Sequence, residues 1–230
     1  ELSRRGLFFP PDPSSTVDST LGGNVAENAG YTRAVKYGVT RDYVRGLEAV
    51  LPSGDVIALG GKTVKNVAGY DLISLLVGSE GTLAIITKIT LRLLMRPRVH
   101  RTVVAYLNDL PGAADLIVAV FRSGIVPCAI ELMDNIAINT VADHLGAPLP
   151  RDAAALVLIE TDGHGKEEVE VEALEIANLC RRAPGVTEAR LAEGDAEAER
   201  LWSYRREVLP SLKALGKDHL EADVVVPRYS

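Results

Sequence analysis

The sequence predicts an α+β protein built in two parts. Two short apolar runs flank the turn Pro52-Ser53-Gly54-Asp55, as a β-hairpin requires. Pro97 closes a long β-branched run and marks a boundary. Beyond it, strand-like runs alternate with amphipathic helices, the rhythm of helices layered on one face of an antiparallel sheet.

The bulk numbers suit this class. The chain has 230 residues, 47% of them hydrophobic, enough for one large or two modest cores. The net charge of −6, from 25 basic and 31 acidic residues, argues against a nucleic-acid binder. No run approaches the roughly 18 apolar residues of a membrane span. Cys128 and Cys180 stand apart in apolar surroundings and read as buried thiols of a reducing, cytoplasmic compartment. The opening Glu1-Leu2-Ser3-Arg4-Arg5 has neither an initiator Met nor an apolar export core. Together with the following Gly6-Leu7-Phe8-Phe9 it reads as the middle of a domain, so the expectation is a fragment.

Residues 7–13 end in prolines that hold the segment extended. The stretch Thr20–Asn28, TLGGNVAEN, reads as a Gly-Gly-Asn turn, with a second turn at Tyr31-Thr32-Arg33. The hairpin covers residues 44–51 and 56–59. Residues 60–69 form a glycine- and lysine-bearing loop, and Asp71 caps a short helix over Leu72, Leu75 and Leu76 that Gly78 stops. Residues 83–94 read as one long strand.

In the second part, strands are expected at 102–107, 126–132, 156–161, 186–191 and 223–227. A helix over 112–123 would bury Leu116, Ile117, Val120 and Phe121. The next would carry Ile136, Thr140, Val141 and Leu145. Residues 166–182 space Val169, Ala173, Ile176 and Cys180 four, three and four apart, a clear apolar stripe. Asp195 is read as the cap of a last helix, 196–209, whose inward face holds Ala198, Leu201, Trp202, Arg205 and Val208. Arg205 is the odd member: a guanidinium among apolar neighbours needs an anion, either a ligand or a neighbouring acid.

Three glycine-bearing stretches, residues 10–12 with 21–30, 66–71 and 78–86, are candidates for close approach to a ligand. None is a phosphate loop or a spaced dinucleotide fingerprint, and each alone reads as structural. Their order is more telling. PPDPSS, TLGGNVAENAG, AVKYGVTRDYV, GLEAVLPSGDVI, GGKTVKNVAGYDLISLLVGSEGTLAIIT and LRLL occur in succession. This series resembles the FAD-linked oxidases of the vanillyl-alcohol-oxidase/p-cresol-methylhydroxylase superfamily, in its glycolate-oxidase and D-lactate-dehydrogenase branch.

The resemblance implies a PCMH-type FAD-binding domain over residues 1–97, lacking its upstream part. A cap-type substrate domain would follow over residues 98–230, lacking its end. Pro10, Pro11 and Asp12 would lie along the flavin, and Leu21, Gly22, Gly23, Asn24, Ala26 and Asn28 would wrap ring and ribityl. Tyr37 and Gly38 would support that loop, while Glu80, Gly81, Ala84 and Ile85 would close over the adenosine or ribityl side. Arg205 would grip the carboxylate of a small 2-hydroxy acid. The implied reaction is FAD-dependent oxidation of glycolate or D-lactate by hydride transfer. Electrons would pass to an iron–sulfur subunit or a quinone pathway at the inner membrane face. D-2-hydroxyglutarate oxidation, with Arg206 as a second cation, an ether-lipid type flavoenzyme and a non-catalytic flavin-binding subunit are the alternatives.

Tyr31 and Ala84 stand where the family commonly has glycine. A glycine-rich pyrophosphate loop would precede Glu1, and paired histidines with an acid, holding a metal and the base, would follow Ser230. His100, His144, His164 and His219 do not replace that set, so no metal site is expected within this chain.

Overall fold

In the computed structural model, which describes residues 1–13, 18–216, 218, 220 and 222–227, the chain falls into two units, Glu1–Arg96 and Pro97–Ser230. The first opens with β1 (Leu7–Phe8), α1 (Leu21–Ala26) and α2 (Ala34–Tyr37). It continues through β2 (Val44–Val50), β3 (Val56–Gly60), α3 (Leu72–Leu76), β4 (Ile85–Leu91) and β5 (Leu94–Met95). β2 is the central strand of an antiparallel sheet ordered β3-β2-β4. Its residues Val44, Leu47 and Ala49 reach a core shared with Val25 of α1, Leu76 of α3, Val77 and Ala84, the strict alternation being broken by a register shift between Val44 and Gly46.

The hairpin forms where the turn chemistry places it, with Val50 opposite Val56 and Gly54 at φ 90°. Asp71 caps α3, its carboxylate accepting from Ser74 N at 3.0 Å and from Ser74 Oγ at 2.6 Å. Two expectations need correction. Residues 83–94 are not one strand: β4 stops at Leu91, Arg92 N donates to Tyr43 O at 2.7 Å, and β5 pairs instead with β1, Leu94 opposite Phe8. The Gly-Gly-Asn stretch is not a turn but helix α1. Thr20 caps it through Oγ1, which accepts from Gly23 N at 3.1 Å, and that cap offsets the poor helix propensity of two glycines.

The second unit runs β6 (Val99–Leu107), α4 (Leu110–Arg122), β7 (Ala129–Asp134), α5 (Asn135–Leu145), β8 (Ala155–Gly163), α6 (Lys166–Arg182), β9 (Val186–Leu191), α7 (Gly194–Arg206) and α8 (Val208–Ala214). Its sheet is antiparallel throughout, ordered β7-β8-β6-β9. The helices do not lie on one sheet face. α4 and α6 cover the face of Val103, Ala105, Val157 and Ile159, while α5 and α7 cover that of Val104, Tyr106, Leu156 and Leu158. β6 and β8 are therefore buried on both sides, which is why they read as unbroken apolar runs.

Other boundaries shift for physical reasons. The strand expected from 126 begins at Ala129. The buried face of α5 is Ile138, Val141 and Ala142, leaving Ile136 and Leu145 exposed. Asp195 lies inside α7, whose N-cap is Glu193, and the helix ends at Arg206 with a break at Glu207 before α8. Pro210, in the first turn of α8, has no N–H for the carbonyl of Arg206, so a single helix could not run through. Residues 223–227 form no strand, and the expectation for His219 lies outside the described residues.

Candidate functional site

In the first unit the fold joins two of the stretches singled out above. Gly78 N donates to Val25 O at 3.0 Å and Glu80 N to Ala26 O at 2.9 Å, so the turn at 78–81 is laced to the C-terminal end of α1. Val25 is the buried anchor of that helix, while Leu21, Gly22 and Gly23 stay exposed. The chain turns after α1 because Asn28 adopts φ 53°, a left-handed conformation that asparagine tolerates better than most residues. Asn28 Oδ1 accepts from Arg41 N at 2.8 Å, and Arg41 Nη2 donates to Val77 O at 3.1 Å. Arg41 thus ties both stretches together, a role its sequence context did not announce. Glu80 at φ 52° and Gly81 at φ 74° shape the facing turn.

The remaining residues sort by environment. Pro10 and Pro11 are buried; Asp12, half-buried, has a carboxylate oxygen 3.9 Å from Arg33 Nε. Tyr37 stacks edge-on against Phe8 at 5.5 Å, and its carbonyl accepts from Tyr43 Oη at 2.7 Å. Burial, opposed by Arg92, pushes the Tyr43 phenol up from its ordinary value. Gly38, at φ 79°, leaves room for Asp42, whose carboxylate accepts from Val39 N at 2.8 Å. Asn24 and Ala26 are half-buried. Ala84 is packed into the core, so its side chain offers nothing to a ligand, whereas Ile85 is 67% exposed beside it.

The exposed part of this edge is backbone-rich: Leu21, Gly22, Gly23 and Ile85 present apolar surface beside the exposed carboxylates of Glu27 and Glu80, with α1 packed against β4. Such a surface fits a flat, largely apolar ring with polar edges better than a phosphate, which would want cations. The residues present therefore fit the flavin that the resemblance implies.

In the second unit, Arg205 Nε donates to Glu131 Oε2 at 2.7 Å, their side chains 24% and 15% exposed. Burial lifts the Glu131 carboxyl above the usual range, and the guanidinium only partly offsets this. Glu131 was missed at the sequence level, although a carboxylate between Ile130 and Leu132 on a strand was a visible anomaly. On the same sheet face, Trp202 Nε1 donates to Thr102 Oγ1 at 3.1 Å, Thr102 Oγ1 lies 3.5 Å from Glu160 Oε2, and Cys128 Sγ lies 3.4 Å from Glu160 Oε1. Arg206 is paired with Glu199 at the surface. His100 Nε2 lies 3.9 Å from Asp195, while His144 and His164 are exposed. No group of three metal-ligating side chains occurs among the described residues.

Comparison with known proteins places these features in context. Residues 96–230 match the family model of FAD linked oxidases, C-terminal domain, and residues 1–60 match that of an FAD binding domain. The glycolate oxidase subunit GlcD of Bacillus subtilis is 42% identical over 227 residues, covering 99% of this chain and 48% of the relative. A D-lactate dehydrogenase of Anaerostipes hadrus is 34% identical over 233 residues, covering 99% of this chain and 49% of its own. The chain thus spans about half the length of the relatives it matches. An alkyldihydroxyacetonephosphate synthase structure aligns with a TM-score of 0.70 over 93% of this chain and 41% of that protein; at 21% identity it speaks to fold alone.

Proposed function

Because this chain belongs to the FAD-linked oxidases, we propose that it serves in FAD-dependent oxidation of a small 2-hydroxy acid, glycolate or D-lactate. The observation that carries this reading is the 42% identity to a glycolate oxidase subunit through 99% of the chain. Bound FAD supplies the acceptor for the hydride that leaves the substrate α-carbon. Leu21, Gly22, Gly23 and Ile85 provide the flat face against the ring, and the Asn24–Asn28 segment, fixed by Arg41, provides amide contacts along its polar edge. Pro10, Pro11 and Asp12 flank the same group, Tyr37 and Gly38 support the loop, and Glu80 and Gly81 close over the nucleotide side. Ala84 acts only through its backbone.

Arg205 grips the substrate carboxylate. Its Nε is anchored on Glu131, which fixes the plane of the guanidinium fork. Segments flanking this chain supply the pyrophosphate loop and the base that takes the hydroxyl proton. An iron–sulfur subunit or a quinone pathway at the inner membrane face receives the electrons. Among the described residues no helix is long and apolar enough to cross a membrane.

Purified protein carrying this chain should show flavin absorbance and reduce a dye with glycolate or D-lactate. Arg205→Ala should keep the flavin and lose turnover. A preparation without flavin that reduces no dye with any 2-hydroxy acid overturns the reading. Turnover untouched by Arg205→Ala favours a flavin-binding subunit without catalysis. Hydroxyglutarate is the weaker substrate on one observation: its second carboxylate needs another cation, and Arg206 is committed to Glu199.

A further inference from the structure

The first unit carries a convergence of cations that the flavin reading does not use. The register of β2 against β4 shifts between Val44 and Gly46, which makes Arg45 the extra residue of a β-bulge. Bulges re-aim a side chain out of the regular pleat. This one is pinned from the far side: Gly61 N donates to Arg45 O at 2.9 Å. Gly60, at φ 65°, makes the approach possible, because a Cβ there would stand 2.2 Å from Arg45 O and 2.6 Å from Ile73 Cδ1. The loop that leaves β3 is thereby led past Arg45. A cavity of about 410 Å³ opens there, lined by Arg45, Lys62 and Arg92 and by the hydroxyl-bearing Thr63 and Thr90.

No carboxylate lines this cavity, and none of the three cations has an ion pair among the described residues. The nearby acid on β2, Glu48, is taken by Lys88 at 2.8 Å. In a chain with 31 acidic and 25 basic residues, such a concentration of unmatched positive charge is not what average surface composition produces. Cations of one sign around a cleft focus their field into it, and two guanidinium forks, an ammonium and two hydroxyls are the donor set that recognises a tetrahedral oxyanion.

We propose that this cavity binds a small phosphate-class dianion, a free phosphate ion or the phosphate of a small phosphorylated metabolite, at a site separate from the flavin-facing edge of α1 and the 78–81 turn. Arg45 is half-buried and fixed by the bulge, while Lys62 and Arg92 are exposed and close on the ligand from the loop and from the strand end. Val64 and Leu91 complete the lining and give an organic remainder an apolar wall.

The test is titration of the 230-residue chain with inorganic phosphate and, separately, glycerol 3-phosphate, followed by backbone amide shifts of Gly61, Thr63 and Arg92. Ionic strength is held constant with sodium chloride. Saturable shifts confined to this region are expected, and the tighter of the two ligands identifies the source of the phosphate. Arg45→Gln, Lys62→Gln and Arg92→Gln should each weaken binding about tenfold. Lys88→Gln, on the same sheet but paired elsewhere, should leave it unchanged. Should Arg45→Gln disturb the bulge, Lys62→Gln still decides the matter, because its side chain lies on an exposed loop. Shifts that do not saturate, that chloride reproduces, or that survive both Lys62→Gln and Arg92→Gln overturn the proposal. So does displacement of phosphate by stoichiometric FAD, which would assign the cations to the cofactor. The titration reads phosphate alone, so its failure leaves the oxidase reading intact, and the reverse also holds.

Discussion

Replacing Arg205 by Met leaves Glu131 as a buried carboxylate without the guanidinium that faces it. Breaking one side of a buried pair costs about 3–5 kcal/mol. The side chains here are 24% and 15% exposed, so water recovers part of this, and a loss of about 2–3 kcal/mol at pH 7.5 is expected. The pH dependence has a definite sign. Glu131 already titrates above the usual carboxylate range, because burial outweighs the guanidinium, and losing Arg205 lifts it further. A carboxyl whose folded value is raised binds its proton more readily when folded, so its penalty is full at neutral pH and fades as pH falls toward the unfolded value. The gap between Arg205→Met and the parent should therefore shrink from pH 7.5 to pH 5. Over that range Glu48, Asp71 and Glu197 stay ionised, being held low chiefly by hydrogen bonds from Lys88, Ser74 and Arg190 respectively. The assay is urea unfolding followed by the fluorescence of Trp202, the only tryptophan in the chain and buried on the same helix as Arg205. Glu131→Gln combined with Arg205→Met should recover most of the loss. A gap independent of pH, or a double variant as unstable as the single one, would refute this account of the pair.

Other outcomes follow from local geometry. Asn28→Ala loses the bond to Arg41 N and strains a left-handed residue, for about 1–3 kcal/mol by calorimetry, whereas Asn28→Gly should lose only the bond. Gly60→Ala drives a Cβ into Arg45 O and Ile73 and should lower the melting temperature well beyond the effect of Gly61→Ala, whose Cβ meets open space. Asp134→Ala removes the cap that accepts from Ala137 N at 2.8 Å and should cost about 1 kcal/mol in urea unfolding. Cys180, fully buried and with its thiol pushed up to about 11, should resist iodoacetamide at pH 8 in the folded protein and react once unfolded, as read by mass spectrometry.

How much of this was legible in the sequence depended on whether the cause was local. The stripe Val169, Ala173, Ile176 and Cys180 gave α6 its face and both its ends, because helix packing here follows period alone. Pro52 to Asp55 announced the hairpin, and Asp71 its helix, because turn and cap chemistry act within four residues. Placement of helices on both sheet faces was not read, although the unbroken runs at 103–107 and 155–159 carried the signal. Ile136 and Leu145 misled because apolar residues are common on helix surfaces as well as in cores. At the site, Arg205 declared its need for an anion, but the acid that meets it is 74 positions away in the chain. Likewise the α1 stretch looked like a turn until Thr20 was seen to cap it and the 78–81 turn to close on it.

The doubly buried strand β6 has a consequence for how the protein is made. It pairs with β8 and with β9, so both of its edges wait for partners that lie later in the chain. Roughly 80 residues separate Leu107 from Val186, and at about 5–20 residues per second a ribosome takes on the order of 4–16 s to deliver them. Part-way through that interval β8 can fill one edge, but the other edge of Val103, Val104, Ala105 and Leu107 stays unpaired until β9 arrives. A pause in translation after β6 lengthens that exposure, whereas one after β9 comes when both edges can already be filled. Yield of this protein in a cell should therefore respond to codon usage between residues 108 and 186, and to holdase chaperones, more sharply than to either elsewhere in the chain.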